Sequence, residues 1–120
     1  MGPEPRPTGW CLLDGSFADT KTISTDDDLI RETIDAKPDL ISIDSPLCLP
    51  FGRTTVDDDD PTREEFGIMR QCERELKRRG VNVYPSLLPS MQKLTARGIR
   101  LAQVFRQMGF PVIERTLSRG

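Results

Sequence analysis

Thr25-Asp26-Asp27-Asp28-Leu29-Ile30 begins the stretch that decides the fold, and Asp39-Leu40-Ile41-Ser42-Ile43-Asp44-Ser45-Pro46 ends it. A threonine hydroxyl caps helices, and Asp28 stands three residues on, at the capping-box position. The three aspartates occupy the first turn, where carboxylates suit the positive end of the helix dipole. Leu29, Ile30, Thr33 and Ile34 recur as one apolar face, and Lys37-Pro38 ends the helix. An apolar strand then runs to Asp44 and stops at Ser45-Pro46. A helix feeding a strand in this way predicts α/β architecture with some parallel pairing.

Upstream, Thr8-Gly9-Trp10-Cys11-Leu12-Leu13 reads as a buried strand. Asp14-Gly15-Ser16 is a turn signal, and Phe17 to Ser24 returns as the second strand of an antiparallel hairpin. Downstream, residues 45–61 form a long loop holding Pro46, Pro50, Gly52, the Asp57–Asp60 run and Pro61. Loops of this length are usually functional or disordered. Thr62-Arg63-Glu64-Glu65 reads as a capping box opening a helix to about Arg79, with Met69, Cys72 and Leu76 on one stripe. A third helix runs from a Ser90 cap to about Met108, with Leu94, Gly98, Leu101, Phe105 and Met108 inward. Phe110 to Glu114 reads as a final strand, Pro111 falling near its start, where proline is tolerated.

Composition narrows the chemistry. The 120 residues include no histidine, which excludes Ser-His-Asp and Cys-His catalysis and any His-bearing zinc site. Residues 1–60 hold 5 basic and 14 acidic groups, a balance of −9, and residues 61–120 hold 12 and 5, a balance of +7. Either one side faces a polyanion, or the halves neutralise each other across the fold. Cys11, Cys48 and Cys72 are odd in number and form no CxxC pair. They read as reduced thiols serving as small apolar groups in a cytoplasmic protein. No apolar run approaches the ~18 residues that a membrane span needs.

Asp44 and Glu114 each end an apolar strand, and ligand sites in open α/β sheets lie beyond such ends. If the two strands are parallel neighbours, about 4.8 Å apart, these carboxylates can bracket a hard divalent cation. Asp44 can equally cap the turn at Ser45-Pro46, with Glu114 a solvated end residue. The Asp57–Asp60 run reads as a solvated loop. Lys77, Arg78 and Arg79, with Lys93, Arg97, Arg100 and Arg106, are phosphate contacts by residue type, although cations in a last helical turn also suit the dipole. Aromatic residues are too few for a base-stacking platform. Ser90-x-x-Lys93 matches a Ser/Lys acyl-enzyme motif whose companion motifs are missing.

Several stretches together resemble one family. They are Arg6-Pro7-Thr8-Gly9-Trp10, Ile43-Asp44-Ser45-Pro46-Leu47 with Leu49-Pro50 and Gly52-Arg53, and Arg70-x-Cys72-Glu73-x-x-Leu76-x-x-Arg79-Gly80. Tyr84-Pro85, Leu88-Pro89-Ser90-Met91, Leu94-Thr95-x-Arg97-Gly98 and Val112-Ile113-Glu114 extend the match. Over about residues 6 to 114 the chain is similar to the Domain of Unknown Function 429 family, predicted nucleases of ribonuclease-H-like fold. The resemblance implies a mixed sheet with flanking helices and phosphodiester hydrolysis of nucleic acid with Mg²⁺ or Mn²⁺. It implies Asp44 and Glu114 as metal ligands. Arg53, Lys77, Arg78 and Arg79 are the candidate phosphate contacts on such a domain. Family members open with a Gly-Ile-Asp strand that carries the first metal-binding aspartate, and Met1 to Pro5 stand in its place. After Glu114 the family continues, whereas residues 115–120 diverge. The expectation is therefore a partial domain with a split sheet and exposed edges, inactive as it stands. The alternative is a non-catalytic module of the same fold that binds nucleic acid or a protein.

Overall fold

The computed structural model describes residues 7–115 and has mixed α/β structure in two compact units, Met1–Leu40 and Ile41–Gly120. The Arg6 of the resemblance and the divergent tail from residue 116 lie outside the described residues.

The first unit is a hairpin and a helix. Strands β1 (Thr8–Asp14) and β2 (Phe17–Ile23) pair antiparallel from Thr8↔Ile23 to Asp14↔Phe17. The two-residue turn needs a left-handed first residue, and Gly15 supplies it at φ 59°. Helix α1 (Asp26–Ala36) follows, and the Thr25 hydroxyl accepts from the Asp28 N–H at 3.2 Å. The Asp28 carboxylate turns to Arg31 at 2.8 Å.

One ring ties hairpin to helix. Trp10 Nε1 donates to Thr33 Oγ1 at 3.0 Å, and that hydroxyl donates to the Leu29 carbonyl at 2.7 Å. Lys21 lies 4.9 Å from the centre of the Trp10 ring and 3.0 Å from Glu32, a cation–π contact that is also an ion pair. β1 is thus half-buried on one face and not a fully buried strand: Trp10 and Leu12 alternate with exposed Gly9, Cys11 and Leu13. The pleat itself puts Cys11 outside.

In the second unit, β3 (Ile41–Ile43) and β4 (Val112–Glu114) form a separate two-stranded parallel sheet, registered Ile41↔Val112 and Ile43↔Glu114. Helix α4 (Gln92–Gln107) packs on it, preceded by a 3₁₀ turn over Pro89–Met91. Ile41, Leu47, Leu87, Leu101, Ala102, Phe105 and Val112 form a small core. Met108 is 53% exposed and does not join it. Nor does Ser90 cap α4, because the 3₁₀ turn brings the chain in helically through Met91. Among the described residues no helix is long and apolar enough to cross a membrane.

The single helix expected from Thr62 to Arg79 is two, α2 (Arg63–Phe66) and α3 (Gln71–Arg78). Gly67 breaks it with φ 71°, and Arg74 reaches back to the Phe66 carbonyl at 3.0 Å. The Thr62 hydroxyl is taken by Asp60 at 2.6 Å, so it caps nothing. The stripe on α3 also differs from the expected one. Cys72 is exposed, Leu76 is half-buried, and the buried residue of α3 is Glu73.

α4 meets the loop after β3 at Gly98. A Cβ there would run into the Ser45 side chain and stand 3.0 Å from the Pro46 carbonyl. Ser45 is held in place, its hydroxyl meeting the carbonyls of Pro46 and Leu94. Gly98→Ala therefore overpacks a fixed backbone, at a cost of about 1–3 kcal/mol that exceeds the gain of roughly 1 kcal/mol in helix propensity. Urea unfolding checks this: the midpoint falls, whereas Ala96→Gly on the exposed face removes propensity alone.

Candidate functional site

The parallel ladder brings the two expected carboxylates to the same end of the sheet but does not pair them. Glu114 is level with Ile43, and the next ladder bond runs from the Arg115 N–H to the Ile43 carbonyl at 2.9 Å. Asp44 lies one step on, past the end of β3, where the chain bends away from the ladder. Asp44 is exposed. Ser45, not Asp44, makes the hydrogen bonds that fix the following turn.

Glu114 is already occupied. Its Oε1 and Oε2 each accept from Arg70, through Nη1 and Nη2, at 2.7 Å. Oε1 also accepts the Leu47 N–H at 2.8 Å. Arg70 Nε donates to Glu73 Oε2 at 3.0 Å, and Nη1 meets Cys48 Sγ at 3.3 Å. Glu73 Oε1 accepts the backbone N–H groups of Arg70 and Ser86 at 2.9 and 3.0 Å. The first of these bonds is half of a capping box at the start of α3. One arginine thus joins α3, the end of β4 and the loop after β3. Pro46, Val83, Tyr84 and Met91 line a shallow recess over it.

Burial works against charge at Glu114, but the hydrogen bonds from Arg70 and Leu47 and the Arg70 charge prevail, and its carboxyl sits below the ordinary range. Arg70 suffers the same desolvation, yet its contacts to Glu114, Cys48 and Glu73 hold it more firmly protonated than usual.

Mg²⁺ or Mn²⁺ needs oxygens free to face it. Glu114 already uses three of its roughly four lone-pair sites, two of them on a bidentate guanidinium, and Asp44 alone is one ligand. No group of three or more Asp, Glu or Cys side chains able to hold a metal ion occurs among the described residues. The two residues do not fit a shared divalent ion.

Arg53 is not a phosphate contact. Its side chain is 0% exposed, as is that of Asp60, its ion-pair partner at 3.3 Å. It also donates to the carbonyls of Thr55, Asp57 and Gly67. Asp60 in turn departs from the solvated run. It accepts from the backbone N–H groups of Thr54, Thr55 and Thr62 and from the hydroxyls of Thr54 and Thr62. Burial raises its pKa, but the Thr62, Thr55 and Thr54 donors lower it further, to a net value well below normal.

Lys77, Arg78 and Arg79 remain on the surface, the two arginines sharing Glu75. Exposed ion pairs of this kind are weak and exchange readily with a phosphate. The three cysteines are free and exposed, not small core groups.

Sequence reasoning missed Arg70 and Glu73. Both lie in the Arg-x-Cys-Glu stretch, and the signal was their spacing of three, the reach of a side chain to the start of its own helix.

No protein-family model, curated protein or solved structure matches the chain.

Arg70→Leu strands the Glu73 and Glu114 carboxylates and destabilises the chain by about 3–5 kcal/mol. Glu114→Gln keeps the shape and costs less. Glu114 and Asp60 both have lowered folded pKa values. Their stabilisation is complete above the ordinary values of 4.5 and 3.8 and is withdrawn as pH falls from there toward the folded values. Urea midpoints measured from pH 7 downward test this: the parent loses stability in that acid window, and Glu114→Gln flattens the loss.

Proposed function

We propose that the chain is a ribonuclease-H-like domain, of the kind it resembles in sequence, that binds nucleic acid without hydrolysing it by itself. The observation that carries the reading is a segment without acid. Between Glu75 and Glu114 there is no Asp or Glu, while Lys77, Arg78, Arg79, Lys93, Arg97, Arg100 and Arg106 lie within it. On α4 the inward arc is Thr95, Gly98, Leu101, Ala102 and Phe105. Lys93, Arg97 and Arg100 fall at i, i+4 and i+7, on another face, and Lys93 and Arg100 are exposed. The helix itself carries no Asp or Glu.

The hydrolytic half of the resemblance has less support. With Glu114 held by Arg70, Asp44 alone offers an open carboxylate at the strand ends. A two-metal phosphodiesterase centre needs several carboxylates on one side.

Gel-shift assays with mixed-sequence DNA and RNA in EDTA, followed by incubation with Mg²⁺ or Mn²⁺, test the proposal. Retarded complexes that weaken steeply with salt, and nucleic acid left intact by the metals, are expected. Absence of binding at low salt would overturn it. So would metal-dependent cleavage abolished by Asp44→Asn, which would reinstate the hydrolase.

A further inference from the structure

We infer that the chain self-associates through the outer edge of β2, which pairs antiparallel with the same strand of a second copy about a two-fold axis at Thr20. Among the described residues β2 pairs only with β1, and Phe17 to Thr22 are all exposed. The two-residue turn fixes which backbone groups point outward. Asp14 and Phe17 flank it and form a hydrogen-bonded pair, as do Leu12↔Asp19 and Trp10↔Lys21 at every second step. The N–H and C=O groups of Ala18, Thr20 and Thr22 therefore face away from β1. They are an open template for another strand.

The sequence of β2 selects one register. With Thr20 opposite Thr20, Ala18 of each copy meets Thr22 of the other, and each of these pairs exchanges both backbone bonds. The pairs between them are the close, non-hydrogen-bonded kind, about 4.5 Å between Cα atoms. They set Asp19 of each copy opposite Lys21 of the other, and Phe17 opposite Ile23. Opposite charges directly across an antiparallel pair stabilise it, and like charges destabilise it. A shift of two residues is the smallest that keeps the outward groups bonded. In one direction it sets Asp19 against Asp19, and in the other Lys21 against Lys21. Charge thus picks the self-complementary register from its neighbours, as an isologous interface needs. β1 offers no such pattern, since it carries no charged residue from Thr8 to Leu13.

Both charges are open to this use. Asp19 is exposed and has no partner among the described residues. Lys21 is held by Glu32 at 3.0 Å, but its ammonium has three donors and that bond uses one. The pairing also covers Phe17, which is 62% exposed in the single chain. A strand edge of seven residues is a small interface of the transient class, so the two-chain species forms reversibly with concentration.

Sedimentation velocity of the full chain over a concentration series tests the inference. The sedimentation coefficient rises with concentration and levels at that of two chains. Thr20→Pro removes an outward N–H that the β1 ladder does not use, and loses the rise. Asp19→Lys and Lys21→Asp, each alone, set like charges across the axis and lose it too. Their equimolar mixture regains it, because each variant then meets its opposite. Circular dichroism confirms that both charge variants are folded, and their mixture decides the matter even if the proline variant is not. A single-chain species at every concentration overturns the inference. So does association that survives all three substitutions, a mixture that stays monomeric, or growth beyond two chains, which a closed pairing forbids.

Discussion

The second unit depends on a single guanidinium. Arg70 sits at the start of α3 and carries the end of β4 through Glu114 and its own helix cap through Glu73. The same two carboxylates accept backbone N–H groups from Leu47 and Ser86, so two loop segments are fixed at the same point. Only arginine has the planar fork that can meet one carboxylate with two parallel bonds while a third N–H reaches another. Such an assembly is costly to desolvate and adds little to net stability. Removing one partner, however, leaves the others as buried charges without compensation.

A second node follows the same logic. The long loop after β3 has no ladder to satisfy its backbone, so a side chain does it instead. Asp60 accepts three backbone N–H groups and two hydroxyls, and Arg53 donates to three carbonyls. Among the described residues no buried side-chain nitrogen or oxygen is left without a partner. A chain with 36% hydrophobic residues has a thin core, and here polar nodes complete what apolar packing leaves undone.

The contrast explains what could be read from sequence. The hairpin, α1, β3 and β4 follow local rules of period, cap and turn, and those rules are visible in any one segment. The parallel pairing followed from a helix placed before a strand. What escaped reading depends on partners far along the chain. Arg53 looks like a surface cation until Asp60 is folded onto it. Glu73 looks like a solvated helix residue until Arg70 and Ser86 close around it. The buried face of α3 is charged, so a search for apolar stripes selected Cys72, which points to solvent. The break at Gly67 was hidden for a related reason: Arg74 and Arg53 satisfy the carbonyls it frees, and neither residue type announces that role.

These polar nodes also bear on function, because one carboxylate cannot serve two cations at once. A divalent ion at Glu114 would compete with both Arg70 bonds and the Leu47 N–H for the same two oxygens and would set a second positive charge beside the guanidinium. The arrangement that holds the fold together therefore opposes metal binding at that carboxylate. Asp44, which carries no such duty, lies past the end of β3 and is not part of the ladder register. On α4 the inward arc of Thr95, Gly98, Leu101, Ala102 and Phe105 does the packing, and Lys93 and Arg100 are exposed on another face. At Glu114, by contrast, the bonds that hold the fold and the bonds that a metal would need draw on the same two oxygens.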